Sequence, residues 1–182
     1  MAVLKDNSGN TAGASKFGGA SGVRRYTASK FVPDADWTVE SVDIRINEDT
    51  GSPHSTQDVI VKILGNIVTL PDDSTVLGTV TKTGASIGAI GSLFTDYNLT
   101  LSASLTSGVT YWLALEISTT GDDANYWSSR GITTASLGNG AKFDEDDSGI
   151  WVVNTDDLFY KINGTASSSG ISSNNLTLLG VS

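Results

Sequence analysis

Apolar and polar residues alternate along most of this chain with a period of two, the pattern of a β-strand that turns one face to a core. The clearest case lies in the stretch 108–130. Tyr111, Leu113, Leu115 and Ile117 fall on one face, and Trp112, Ala114 and Glu116 on the other. Because the second face is only partly polar, it is expected to be covered too, which marks a central strand. Val42, Ile44 and Ile46 alternate with Asp43 and Arg45 and predict a strand over 37–46. Val59, Val61 and Ile63, with apolar Ile60 and Leu64 between and after them, predict another over 59–64, covered on both faces. Shorter runs predict strands at 26–31, 76–80, 94–101, 150–153 and 157–162, and a second aromatic strand after Gly121-Asp122-Asp123. Pro33 with Asp34 and Asp36, Gly51 with Pro53, and Pro71-Asp72-Asp73-Ser74 read as turns. No helical i, i+3, i+4, i+7 pattern persists for three turns. The expected fold is all-β: a single antiparallel β-sandwich or jelly roll with long loops at its ends.

The two ends of the chain read differently from this body. Residues 1–23 are small and polar apart from Val3, Leu4 and Phe17, too little apolar area to offset backbone entropy unaided. They are expected to form a flexible arm, with Leu4 and Phe17 as anchors on a neighbouring subunit. Residues 24–163 form the sandwich. Residues 164–182 are a Ser/Gly/Asn spacer followed by an apolar strand containing Leu176, Leu178 and Leu179, able to fold back or to pair with another subunit's sheet edge.

Composition narrows the function classes. A chain of 182 residues suits one domain with a proper core. Its net charge of −9 repels phosphate backbones, so nucleic acid is not an expected partner. No run approaches the ~20 apolar residues of a membrane-spanning helix, and no membrane partner is expected. The absence of cysteine removes disulfides, thiolate catalysis and thiolate-bound metals. The start, Met-Ala-Val-Leu-Lys-Asp, lacks a basic region followed by an apolar one; if Met1 is the true start, synthesis in a cytoplasm is expected, and secretion would need a removed leader or a non-standard route.

The order of features gives a further lead: Phe31, the 37–46 strand, the Gly51 and Pro53 loop, the 59–64 strand, Pro71, Leu77, the 94–101 strand, the run Gly108-Val-Thr-Tyr-Trp-Leu-Ala-Leu and Asn125-Tyr126-Trp127. Over residues 26–162 this resembles the choice-of-anchor R β-sandwich domains of bacterial surface proteins and phage structural proteins. The resemblance implies a jelly-roll-like binding or structural module with no catalytic residues. With neither leader nor anchor segment, the chain looks more like a virion component than a secreted modular protein. The expectation is a non-enzymatic structural protein of a bacteriophage virion, a capsid decoration or tail or fibre component, homo-oligomeric and in contact with other virion proteins. The alternative is a carbohydrate-binding β-sandwich of a cell-surface or extracellular protein, with surface glycans as partners.

Three sets of residues are candidate sites. Asp122, Asp123, Asp144, Asp146 and Asp147 sit in acidic loops and could hold a structural calcium ion, although none has EF-hand spacing and solvated loop charge is the plainer reading. No other cofactor is expected. Tyr126, Trp127 and Trp151, with Trp112, could stack on sugar rings, although strand aromatics are more often core. His54, the single histidine, sits in a Gly/Pro loop where a Ser-His-Asp triad would depend on it alone. Gly84, Gly88 and Gly91 lack a Walker lysine and read as a surface loop. Sequons at Asn98, Asn163 and Asn175 carry meaning only on a secretory route.

Overall fold

Thirteen strands, all paired antiparallel, run through the described part of the chain. This computed structural model describes residues 2–7, 13–20, 23–50, 57–87, 95–119, 126–132, 140–144, 150–154 and 157–167. In chain order the strands are β1 (Ala2–Asp6), β2 (Gly13–Ala20), β3 (Val23–Phe31), β4 (Trp37–Thr50), β5 (Val59–Ile67), β6 (Leu70–Lys82) and β7 (Thr95–Leu105). After these come β8 (Tyr111–Ile117), β9 (Tyr126–Ile132), β10 (Gly140–Asp144), β11 (Ile150–Asn154), β12 (Asp157–Leu158) and β13 (Tyr160–Ala166).

They form two antiparallel sheets packed face to face, the expected sandwich. In one, β4 pairs with β7, β13 and β9, and β13 carries β1 on its outer side. In the other the order is β6-β5-β8-β3-β10-β11. Strand β2 connects the layers: Gly13–Gly18 pair with β9 and Gly18–Ala20 with β3, so hydrogen bonding continues around one side. On the other side β6 packs closely on β7, where a Cβ added at Gly78 would stand 2.6 Å from the Ser102 carbonyl oxygen. Only a residue without a side chain allows that approach.

Alternation accounts for the core. Val42, Ile44 and Ile46 are fully buried while Asp43 and Arg45 between them are half-buried. Strand β8 is buried at all seven positions, so its Trp112 face is indeed covered. Its neighbours explain how: Trp112 Nε1 donates to Asn66 Oδ1 (2.9 Å), and Lys62 Nζ donates to Glu116 Oε2 (2.5 Å). Burying each large aliphatic side chain contributes about 1.5–3 kcal/mol.

Two expectations fail. The N-terminal stretch is not an arm over its described residues. β1 pairs with β13, β2 lies between β9 and β3, Phe17 is fully buried, and Leu4 packs against the core. Ladders supplied by strands more than a hundred residues away offset the entropy that local composition could not. The second correction concerns 71–74, which do not end a strand. The turn falls earlier, at Val68 and Thr69, where Ile67 pairs with Leu70. The Pro71-Asp72-Asp73-Ser74 chemistry instead makes a bulge inside β6: Gly65 pairs with Asp72 and Leu64 with Val76, pushing out the residues between. Asp72 holds this bulge by accepting from Ser74 N (3.0 Å), Ser74 Oγ (2.6 Å) and Thr75 Oγ1 (2.7 Å). Pro71 is tolerated because β6 is an edge strand.

Candidate functional site

Tyr26, Phe143 and Trp151 occupy directly paired positions on β3, β10 and β11, so their side chains rise from one face of the sheet. Tyr26 and Phe143 stack at 5.0 Å between centroids, and Phe143 meets Trp151 edge-on at 5.7 Å. The β5–β6 hairpin folds over this cluster and is tied down where Trp151 Nε1 donates to Asp73 Oδ2 (2.9 Å). Between hairpin and cluster lies a groove of about 400 Å³, walled by Ile67, Leu70 and Pro71 and lined beyond by Phe143, Trp151, Ile150 and Asp73. Asp73 is its one charged lining residue.

Exposed apolar side chains stand in this groove and along the strands that form it: Ile67 and Ile150 line it, Val68 follows Ile67, and Val153 lies two residues beyond Trp151. Ile67, Ile150 and Val153 are each more than half exposed, and Val68, at the hairpin tip, is 89% exposed. Val68 is also the one described non-glycine residue with positive φ, at 58°. The first position of a two-residue hairpin with positive φ there normally takes glycine, and a β-branched residue in that region is strained by about 1–3 kcal/mol. Asn66 Nδ2 steadies the tip by donating to the Val68 carbonyl (3.2 Å). A strained, exposed, apolar tip beside an apolar groove is a feature that folding alone does not call for.

A second depression, of about 420 Å³, lies over β4, β7 and β13 and is lined by Asp43, Arg45, Asp96, Phe159 and Lys161. Its charges are already matched. Arg45 forks onto Asp96, with Nη2 2.7 Å from Oδ2 and Nε donating to Oδ1, and its guanidinium lies 3.9 Å from the Phe159 ring centroid. The Arg45 hydrogen bond holds the Asp96 carboxyl below the usual carboxylate range, and the same bond raises Arg45. Asp43 accepts from Asn98 Nδ2 (2.5 Å) and Asn163 Nδ2 (3.1 Å), and Lys161 lies 3.4 Å from Asp6. These contacts seam β4, β7, β13 and β1 together and leave little unspent charge for a ligand.

Of the residues singled out by sequence, Trp151 is the one the structure brings to a groove. Trp127 is fully buried and offers no ring face to a sugar, and its Nε1 has no partner. Tyr126 begins β9, and its side chain lies outside the described residues. Asp144 ends β10, its backbone paired with Arg25 and Ile150. Asp122, Asp123, Asp146, Asp147, His54, Leu176, Leu178 and Leu179 lie outside the described residues. Among the described residues no group of three or more His, Asp or Glu side chains stands together as a metal site. Leu4 and Phe17, expected as anchors on a neighbour, pack within their own chain. Asn98 and Asn163 point their amides at Ser41 and Asp43. Sequence reasoning missed the exposed apolar residues Ile67, Val68, Ile150 and Val153. The one available signal was the apolar pair Ile67-Val68 running up to Leu70, with the turn chemistry placed too late at 71–74.

The architecture defines the chain as an all-β sandwich protein. Comparison with family models and with curated proteins finds no match to it.

Proposed function

We propose that this chain is a non-enzymatic structural protein of a bacteriophage particle, a capsid decoration or tail or fibre component, that assembles with further copies of itself through the surface of its sandwich. The observation that carries the assembly reading is the exposed apolar side chains Ile67 and Ile150 in the lining of the Trp151 groove, with exposed Val68 next to Ile67 at the hairpin tip. Exposed apolar side chains beside an apolar groove are the kind of surface a polypeptide partner covers. The resemblance of residues 26–162 to choice-of-anchor R domains, which occur in bacterial surface proteins and in phage structural proteins, suits a binding or structural module and is shared by the particle reading and its surface-protein alternative. A carbohydrate-binding role would draw on the same groove, but Trp151 is only 5% exposed and Phe143 half-buried, so little aromatic face is open to a sugar ring. A sugar also needs several directed hydrogen bonds. Here Asp73 is the one charged lining residue, and its Oδ2 already accepts from Trp151. The exposed apolar side chains favour a polypeptide partner.

The test is mass spectrometry of gradient-purified particles from a producing lysate, with immunogold labelling. The proposal expects the chain at a fixed copy number per particle with label on the particle surface. Its absence from washed particles, together with specific retention on a polysaccharide column, would replace this reading with the carbohydrate-binding one.

A further inference from the structure

We propose that two copies of this chain pair about a two-fold axis, each setting the tip of its β5–β6 hairpin into the Trp151 groove of the other. The proposal rests on the assembly reading above and names its contact and its symmetry.

The hairpin is a ridge with a depression on either side. Ile67 and Leu70 line the Trp151 groove, while Asn66 and Asp72 line a second depression of about 390 Å³ that reaches Val109 and Tyr111. Val68 crowns the ridge, 89% exposed and at a φ of 58°. Glycine or asparagine fits that backbone at less cost, so the fold itself gives no reason for an apolar, β-branched side chain at this point. Knob and hole belong to one patch, because Ile67 lines the groove and the next residue is the tip. A patch of this kind is self-complementary. A two-fold axis alongside the hairpin lets Val68 of each copy meet Ile150 of the other, so that both tips and both grooves are covered at once.

Size and charge agree with this pairing. A cavity of about 150 Å³ takes one benzene-sized group, so the groove, at about 400 Å³, has room for the Val68 side chain and an aliphatic neighbour. With a net charge of −9 two copies repel one another, and they approach at least cost where the facing surfaces are uncharged. Residues 63–71 carry no charge, and the one carboxylate lining the groove, on Asp73, already accepts from Trp151 Nε1 (2.9 Å). The second depression suits an apolar tip less well, since the Asp72 carboxylate and the Asn66 amide line it.

Area sets the strength of the contact. The exposed parts of Val68, Ile67 and Ile150 amount to about two whole aliphatic side chains, on the order of 200 Å² per copy. A permanent dimer buries about 800 Å² per partner. The contact is therefore weak in isolation and suits copies that further contacts hold close, as on a particle.

Sedimentation equilibrium of the full-length chain at concentrations up to about 1 mM tests the pairing. The expected result is a monomer–dimer equilibrium with nothing larger. Val68→Asp and Ile150→Lys, both at exposed positions, should each weaken pairing at least about tenfold, since each change falls twice in every dimer. Mixing the two variants should recover at least about tenfold, because the new carboxylate on one tip meets the new ammonium in the other groove, while the second tip and groove are unaltered. A loss of folding would not produce that recovery. Dimers that both variants leave unchanged, or weakened dimers that do not recover in the mixture, overturn the hairpin contact and leave the assembly reading standing. Species larger than a dimer overturn the two-fold symmetry. A chain that stays monomeric but binds purified particles only with Val68 intact assigns the surface to another particle protein and overturns the self-contact. A monomer that binds no particle overturns both.

Discussion

Replacing Val68 by glycine should move folding and assembly in opposite directions. Val68 holds φ at 58° in the tip of the β5–β6 hairpin. A left-handed conformation costs an L-residue about 1–2 kcal/mol, and glycine removes that cost while losing about 0.5–1 kcal/mol through the greater freedom of its unfolded chain. Because the side chain is 89% exposed, its removal forfeits almost no burial within the chain. The net expectation is a gain of about 0.5–1 kcal/mol. With a urea m-value of about 2 kcal/mol/M, that raises the unfolding midpoint by roughly 0.25–0.5 M. If Val68 belongs to an interface, the same change removes a contact worth about 1–2 kcal/mol and weakens assembly about five- to thirtyfold. Urea unfolding by fluorescence at low protein concentration reads the first effect, and sedimentation velocity across a concentration series reads the second. A lower midpoint would refute the strain at Val68. A higher midpoint with unchanged assembly would refute its place in the interface.

Other positions give separate tests. Lys62→Met leaves the buried Glu116 carboxylate without its cation and should cost about 2–4 kcal/mol, somewhat reduced because Lys62 is partly exposed, with Lys62→Met/Glu116→Leu recovering most of the loss in urea unfolding. Gly78→Ala sets a methyl against the Ser102 carbonyl and should cost about 1–3 kcal/mol by the same measurement. Arg45 holds Asp96 below its unfolded value, so that pair contributes stability above the ordinary carboxylate range and loses it as pH falls through the depressed folded value. The urea midpoint of Asp96→Asn should therefore fall less steeply with acid than that of the parent. Tyr160 is buried, with burial and then the Asp157 charge raising its phenol well above the ordinary value near 10. Its contribution is complete below about pH 10 and is lost as pH rises beyond it, so Tyr160→Phe should flatten the alkaline limb of the same titration.

Period-two alternation made the body of the fold legible. Strands β4, β5, β7 and β8 stand where Val42, Val59, Leu99 and Leu113 and their alternates placed them, and the covered second face of β8 followed from Trp112 and Ala114. The N-terminal strands were not legible, because β2 owes its place to ladders with β3 and β9 rather than to its own small residues. The turn was misplaced for a related reason. Val68 carries no turn propensity and is held at positive φ by the pairing of Ile67 with Leu70, while Asp72 spends its turn chemistry on a bulge. Trp151 could be named from sequence as a candidate, but not Trp127 as core, since both follow acidic runs in the sequence. What separated them was pairing: Trp127 lies against Phe17 inside the sandwich, whereas Trp151 lies opposite Phe143 at a sheet edge.

The central claim is that the hairpin tip and the Trp151 groove form a surface that further copies cover. Hydrogen–deuterium exchange of the full-length chain, compared between dilute and concentrated samples of known oligomeric mass, tests it most directly. The account predicts an oligomer at high concentration, with new amide protection concentrated at 67–70 and 150–154. Protection confined to the Arg45 and Asp96 face, or a monomer with an unchanged exchange pattern, would contradict it.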